Sequence, residues 1–95
     1  LIGTLYYHRG DNADLLRKKF TFLAERLRTT LQVDILEHTL PPDAARLIAR
    51  RTSLKEENVK EDLLRLRLDY WTEGTIDERE MKWAINCMDE IMKQI

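Results

Sequence analysis

The chain has 95 residues, with 16 Lys and Arg residues against 17 Asp and Glu residues, and its formal net charge at pH 7 is -1. This length suffices for one domain with a single hydrophobic core. The near-zero net charge argues against a protein that coats nucleic acid through bulk electrostatics, and the single cysteine rules out an internal disulfide framework. No apolar run is long enough to span a bilayer.

The first periodic segment predicts a helix from about Asn12 to Gln32, after a turn at Gly10. Asp11 is the predicted N-cap, because its carboxylate can accept hydrogen bonds from the free N–H groups of the first turn. Apolar residues then recur every three or four positions, which places them on one face of the helix. They are Leu16, Phe20, Leu23, Leu27 and Leu31.

The segment 33–40 contains β-formers but is short and has no strand partner, so we interpret it as a linker that packs on the core. Pro41 and Pro42 then open a second helix that runs to about Arg51, because proline is preset for the first helical turn. Its apolar side consists of Ala45, Leu47, Ile48 and Ala49.

Two capping boxes, a Ser or Thr followed three residues later by Glu, predict where the last two helices begin. Ser53 with Glu56 opens a third helix that runs to about Trp71, and Thr75 with Glu78 opens a fourth helix that runs to residue 95. The third helix is apolar over much of its circumference, which predicts a central helix contacted from two sides, with its aromatic residues in the core. Its apolar residues are Val59, Leu63, Leu64, Leu66, Leu68, Tyr70 and Trp71. The predicted buried face of the fourth helix is Met81, Ala84, Ile85, Met88, Ile91, Met92 and Ile95.

Together these segments predict an all-α fold, a compact bundle of about four helices with a helix-turn-helix-like central hairpin. Residues 1–10 form a separate N-terminal segment in this prediction, and residues 11–95 form a single helical domain.

Groups that could support catalysis or bind a metal are few. Cys87 is the only thiol, and His8 and His38 are both distant from it in sequence. A nucleophilic cysteine needs a nearby base and an electropositive site, so Cys87 is predicted to be a packed or half-exposed structural residue. Neither histidine has the ligand spacing of a zinc site, and no Gly-rich phosphate loop occurs. The sequence therefore predicts a protein that is not an enzyme and uses no cofactor or metal.

DNA binding is an alternative function. Ala49, Ser53 and Val59 have the spacing of a helix-turn-helix, and Arg50 and Arg51 could contact phosphates. The would-be recognition helix, however, begins with residues 55–62, which hold two basic and four acidic residues. In the major groove such a helix would repel the phosphates on both sides, so DNA binding ranks second.

Charge is divided unevenly between the two halves of the chain. Residues 1–51 hold 9 basic and 6 acidic residues, whereas residues 52–95 hold 7 basic and 11 acidic residues. One interpretation is that the helices have ordinary solvated faces; the other is a basic side that faces a membrane and an acidic side that faces a protein partner. The predicted partner-binding residues are Glu56, Glu57, Glu61, Asp62, Glu73 and Glu78, with Trp83 as an aromatic anchor. The apolar face of the fourth helix leaves homo-oligomers open as well.

The first ten residues have the order found at the inner edge of a membrane span. Apolar residues come first, tyrosines follow at the interface, and basic residues lie beyond. The alternative is a segment that folds back on the bundle. The predicted membrane-proximal residues are Tyr6, Tyr7, Arg9, Arg17, Lys18 and Lys19.

The sequence LYYHRGDNAD at residues 5–14 is followed by Arg17-Lys18-Lys19 and Leu27-Arg28. This stretch resembles the corresponding stretch in a family of bacterial membrane proteins of unknown function. Members of this family from Bacteroidetes have a similar sequence directly after their last transmembrane helix. Their genes lie beside genes for MoxR-type AAA ATPases and for proteins with von Willebrand factor A domains. The resemblance covers nearly the whole chain and is most specific in residues 5–28.

The resemblance implies the cytoplasmic C-terminal domain of a larger protein at the bacterial inner membrane, with the ATPase or the von Willebrand factor A protein as partner. It brings no catalytic motif onto these residues. The function expected from the sequence is therefore a non-enzymatic interaction domain, with a helix-turn-helix-like DNA-binding regulator as the alternative.

Overall fold

A computed structural model describes residues 9–72 and 75–95 of the chain. Within these ranges the chain forms four α-helices and no strand, which confirms the predicted all-α fold. The helices are α1 (Arg9–Leu31), α2 (Ala44–Arg51), α3 (Glu56–Trp71) and α4 (Glu78–Gln94). Helix α1 packs against α3 and α4, and α2 packs against α3.

The core is built on the predicted face of α1. Leu16, Phe20, Leu23 and Leu27 are fully buried there, whereas Leu31 is half-buried at the end of the helix. Full burial of a large apolar side chain contributes about 1.5–3 kcal/mol, so this face supplies much of the driving force for folding. The fully buried residues that the other helices bring to it are Ala44, Ile48, Val59, Leu63, Leu66, Ala84, Met88 and Ile91.

Side-chain contacts fix the directions of the helices. The Asn12 Nδ2 donates to the Ile76 carbonyl at 3.2 Å, which joins the first turns of α1 to the residues just before α4. At the other end of α4, Gln94 Oε1 accepts hydrogen bonds from Ser53, just before α3. Helices α1 and α4 therefore run parallel, and α3 runs antiparallel to α4.

The linker between α1 and α2 packs on the core, as predicted. Val33 and Ile35 are buried. Arg67 of α3, which is also buried, donates to the carbonyl oxygens of Ile35 at 2.6 Å, Glu37 at 2.8 Å and His38 at 3.0 Å. In the described ranges Arg67 is the only buried charged side chain, and it satisfies linker carbonyls that have no helix or strand partner.

Helix α1 ends in a left-handed cap. Gln32 has φ 55°, and its N–H donates to the Arg28 carbonyl at 3.1 Å. The chain then turns back, so that the Val33 N–H donates to the Leu27 carbonyl at 3.3 Å. Glycine is the usual residue at such a position, because it has no Cβ atom and a Cβ atom is disfavoured at positive φ.

The predicted start of the first helix is wrong. The described chain is already helical at Arg9, so Gly10 lies within α1 and Asp11 is not its N-cap. A glycine within a helix costs only about 1 kcal/mol relative to alanine. Burial of Ala13 and Leu16 in the next turns outweighs that cost.

Both predicted capping boxes are also wrong. The N-cap of α3 is Lys55, whose side chain makes no capping hydrogen bond. The predicted cap, Ser53, is engaged elsewhere, since its N–H and Oγ donate to Gln94 at 2.9 and 2.8 Å. The N-cap of α4 is Asp77, whose carboxylate accepts from the Glu80 N–H at 2.8 Å. An aspartate is at least as good a cap as threonine, so the N-cap lies two residues after Thr75 and the helix begins at Glu78.

Helix α3 is contacted by both α1 and α2, as expected of a central helix, but part of its apolar circumference is exposed. Tyr70 is half-buried, with its ring centroid 5.1 Å from that of Phe20. Leu64, Leu68 and Trp71 are 49%, 71% and 49% exposed, which also corrects the core position expected for Trp71. These three residues, spaced by four and three positions, share one face; we call them the outer stripe of α3.

The apolar face of α4 belongs to the core of the single chain. Met88 and Ile91 are buried, and Met81, Ile85, Met92 and Ile95 pack against the core as partly buried residues. Within the described ranges, no helix is both long and apolar enough to cross a bilayer.

Candidate functional site

A groove lies between α3 and α4, because long side chains rather than close backbone packing bridge the two helices. Its cavity has a volume of about 340 Å³. Two of its lining residues are carboxylates, Asp62 and Glu90, of which Glu90 also pairs with the Lys93 Nζ at 3.5 Å, and we call it the acidic groove. It is lined by Leu54, Asp62, Trp83, Asn86, Cys87, Glu90 and Ile91.

Arg65 lies against Trp83, one of the residues that line the acidic groove. Its guanidinium carbon lies 3.9 Å from the centroid of the Trp83 ring. The same guanidinium donates to both carboxylate oxygens of Glu80, with Nε 2.9 Å from Oε2. Because these hydrogen bonds favour the charged forms, they raise the pKa of Arg65 and lower the pKa of Glu80. Trp83 is thereby held in one orientation, with one ring face under a cation.

Asp69 lies next to this ion pair and has a perturbed acidity. Burial, and then the hydrogen bond and charge of Glu80, raise the pKa of Asp69 to about 7. In the described part of the chain, its Oδ2 is buried without a hydrogen-bond partner. Because Glu80 already has Arg65 as a partner, Asp69 is the member of the carboxyl pair that keeps a proton.

Cys87 is half-buried in the groove wall, as the sequence predicts. Burial raises the pKa of its thiol to about 12, and the nearby Asp62 carboxylate acts in the same direction. The thiol therefore stays protonated at neutral pH, which makes it a weak nucleophile. Within the described ranges, no cluster of His, Cys, Asp and Glu is arranged to hold a metal ion.

The structure brings together two of the sequence-predicted partner-binding residues. Asp62 and Trp83, on different helices, line the same groove. Sequence reasoning missed Glu90 and the role of Arg65. A signal for Glu90 was present, because Trp83, Cys87 and Glu90 follow one another at spacings of four and three and so share a face of α4.

The other predicted acidic residues do not form one patch with Asp62. Glu56, Glu57 and Glu61 are exposed on α3, and Glu57 and Glu61 share a face, but successive helical residues are about 100° apart, so all three lie about 100° or more around the helix from Asp62. Glu78 is exposed at the start of α4, beside the other end of α3, and its carboxylate lies 3.3 Å from the Lys82 Nζ. Glu73 lies outside the described residues.

Arg17, predicted to be membrane-proximal, binds the end of α3. Its Nε donates to the Tyr70 carbonyl at 3.1 Å and its Nη2 to the Thr72 carbonyl at 2.6 Å. The last carbonyls of a helix lack intrahelical partners and carry partial negative charge, so this guanidinium caps α3.

The rest of the predicted membrane-proximal set is only partly described. Lys18 is exposed, with its Nζ 3.2 Å from the Asp14 carboxylate, and Lys19 pairs with Asp89 of α4. Tyr6, Tyr7 and the side chain of Arg9 lie outside the described residues.

Helices α2 and α3 pack as the hairpin expected from the helix-turn-helix spacing. Val59 is buried and Ala49 is half-buried between them, while Arg50 and Arg51 are exposed at the end of α2. The turn is held from outside the hairpin, by the bond from Ser53 to Gln94.

Comparison with known proteins agrees with the helical architecture. Residues 1–95 match the family described as the DUF4350 C-terminal helical domain, a domain of unknown function. No curated protein and no solved structure matches the chain. The match extends over the whole sequence, and the chain therefore belongs to the DUF4350 C-terminal helical domain family.

Proposed function

We propose that the chain is a non-enzymatic interaction domain that binds a basic segment of a partner protein in the acidic groove. The observation that carries the proposal is the pairing of two carboxylates, Asp62 and Glu90, with an apolar floor that includes Trp83. Lysine and arginine have this same division, an apolar stem that ends in a charge. A basic side chain can lie on the floor with its charge between the carboxylates.

The size and order of the groove support this choice of ligand. A cavity of about 340 Å³ is at the small end of ligand-binding sites, which suits one or two long side chains. Arg65 fixes the Trp83 ring before any partner arrives, so little side-chain entropy is lost on binding there. The protonated thiol of Cys87 offers no competing charge.

The proposal extends to the setting of the domain. The family name describes a C-terminal helical domain, which supports a position at the end of a larger protein. The resemblance of residues 5–28 to bacterial membrane proteins supports a cytoplasmic position beside the inner membrane. It also supports a MoxR-type AAA ATPase, or a von Willebrand factor A domain protein, as the partner.

Binding to purified candidates tests the proposal. The chain is immobilised, and the MoxR-type ATPase and the von Willebrand factor A protein of the same host are titrated separately at physiological salt. The groove variant combines Asp62→Asn with Glu90→Lys, and the control combines Asp43→Asn with Glu78→Lys, which makes the same change in charge outside the groove. We expect one probe to bind, with affinity reduced about tenfold or more in the groove variant and nearly unchanged in the control. Binding of neither probe, or equal loss in both variants, contradicts the proposal.

DNA binding stays as a second candidate because α2 and α3 form the expected hairpin with Arg50 and Arg51 exposed. Fluorescence anisotropy with a labelled duplex separates the two functions. We expect no binding at moderate salt, since the first turn of α3 begins with Glu56 and Glu57. A steep salt dependence that disappears in Arg50→Ala/Arg51→Ala would favour DNA binding instead.

A further inference from the structure

Two apolar stripes are exposed on different helices, both outside the acidic groove. The outer stripe of α3 is Leu64, Leu68 and Trp71; the second, which we call the α1 stripe, is Leu15 and Phe22, 51% and 58% exposed. Exposed apolar residues that are aligned on one face mark interaction sites more often than scattered ones do.

The two stripes border different cavities. Leu15 borders a cavity of about 320 Å³ that it shares with Met81 and Ile85 of α4. Leu64 borders a separate cavity of about 300 Å³, shared with Leu40 and Pro41 of the linker. Within one chain neither stripe covers the other, since the residues of both are exposed.

The stripes match in length. Leu15 and Phe22 are seven residues apart, as are Leu64 and Trp71, and seven helical residues span about 10.5 Å. If α3 of one copy lies antiparallel on α1 of another, Trp71 meets Leu15 and Leu64 meets Phe22. Leu68 then lies over the middle of the α1 stripe.

The charges beside the stripes match in the same arrangement. Lys60 and Glu61 lie one turn before Leu64, on opposite sides of the outer stripe, and Glu25 and Arg26 lie one turn after Phe22. All four residues are exposed, although Glu25 also pairs with Arg28 in its own helix.

The direction of the pairing decides which charges meet. Each stripe has two sides, defined by the direction of rotation about its helix. When the two helices face each other antiparallel, the same side of each stripe comes together. Glu61 then faces Arg26, and Lys60 faces Glu25, so both contacts are between opposite charges. A parallel arrangement, with Leu64 on Leu15, places Lys60 and Glu61 far from these partners.

We propose that the outer stripe of α3 docks antiparallel on the α1 stripe of a second copy, so that the chains associate head to tail. Each copy in such a pair keeps one stripe free for the next copy, which gives open chains rather than a closed dimer. The interface avoids the acidic groove, so self-association and partner binding in the groove are independent.

Sedimentation velocity over a concentration series up to about 1 mM tests the proposal, because weak association lies in this range of Kd. We expect the average mass of the wild-type chain to rise with concentration. Leu68→Ser and Phe22→Ser each change one exposed stripe residue and should weaken self-association about tenfold or more. A mixture of the two variants should form a one-to-one pair, because one variant keeps the α1 stripe and the other keeps the outer stripe.

A charge exchange and a groove variant complete the test. Glu61→Arg should weaken association, and adding Arg26→Glu to the same chain should restore it, since both copies then carry the exchanged pair. Glu90→Lys lies in the acidic groove and should leave association unchanged. A wild-type chain that stays monomeric, a Phe22→Ser variant that still associates, or a mixture that stays monomeric overturns the proposal.

Discussion

Replacement of Arg67 by methionine should detach the linker from α3 and destabilise the whole domain. Methionine has a comparable length and can occupy the buried path of the side chain, but it cannot donate hydrogen bonds. The carbonyls of Ile35, Glu37 and His38 then lose the donors that lie 2.6 to 3.0 Å away.

The size of the effect follows from the number and burial of these bonds. A hydrogen bond to a charged group contributes about 1.5–3 kcal/mol, but the Glu37 and His38 carbonyls are only partly buried and can bind water. The expected loss is therefore about 3–5 kcal/mol, typical of a broken buried polar contact. A domain of this length has a free energy of unfolding of about 5–14 kcal/mol, so the variant becomes marginally stable.

Urea unfolding followed by circular dichroism measures the loss directly, and the Tm should fall by about 15–30 °C. The matched control is Arg46→Met, because Arg46 is exposed and its guanidinium lies 3.9 Å from the Asp43 carboxylate, a pair worth under about 1 kcal/mol. Arg67→Lys keeps the charge but loses the planar fork, so it should fall between the two. If Arg67→Met were no more destabilising than Arg46→Met, the linker would not depend on these hydrogen bonds.

Three further predictions concern single positions. Gln32→Gly should raise the free energy of unfolding by about 0.5–1 kcal/mol in the same urea assay, because glycine accepts φ 55° without steric cost; an unchanged or lower value would contradict the left-handed cap. For Asp69, the pKa is about 7 in the folded chain against an ordinary value of 3.8, so the folded state holds a proton that the unfolded state has released. Stability should therefore decline as the pH rises from about 4 to 7, and Asp69→Asn should remove this decline and be more stable than wild type at pH 8. Equal slopes in the two proteins would show that Asp69 has an ordinary pKa. Cys87, with a pKa of about 12, should react with a disulfide reagent at pH 8 about a thousandfold more slowly than free cysteine, and Asp62→Asn should speed the reaction; rapid labelling of the folded wild type would refute the burial of the thiol.

Much of the fold could be predicted because the helices are amphipathic and long. The spacing of Leu16, Phe20, Leu23 and Leu27 in α1 gives the buried face directly, and these residues are fully buried. Long periodic segments repeat the signal over several turns, so one irregular position does not hide it.

Helix ends were harder to predict, because several residues compete to cap each one. The two Ser/Thr–Glu patterns satisfy the sequence rule, yet Ser53 binds Gln94, which lies 41 residues away. Asp77 caps α4 in place of Thr75. Long-range partners of this kind leave no local pattern in the sequence.

The candidate site was predicted in fragments, since it depends on which faces of α3 and α4 meet. Asp62 and Trp83 were named from charge and residue type, but their shared groove follows from the antiparallel packing of the two helices. The opposite error was made for Leu64 and Leu68, which were assigned to the core because an apolar face normally finds a partner. Hydrophobicity identifies such a face but does not say whether the partner is in the same chain.

The most direct test of partner binding in the acidic groove uses the two tryptophan indole N–H signals of the nitrogen-15-labelled chain. Trp83 lines the groove, whereas Trp71 lies in the outer stripe of α3. The spectrum is recorded at low concentration, where the chain is monomeric, and the purified partner ATPase or von Willebrand factor A protein is then added. Partner binding in the groove predicts that the Trp83 signal shifts or broadens first while the Trp71 signal stays in place. A change at Trp71 with none at Trp83 would contradict the groove as the binding site and point to the outer stripe instead.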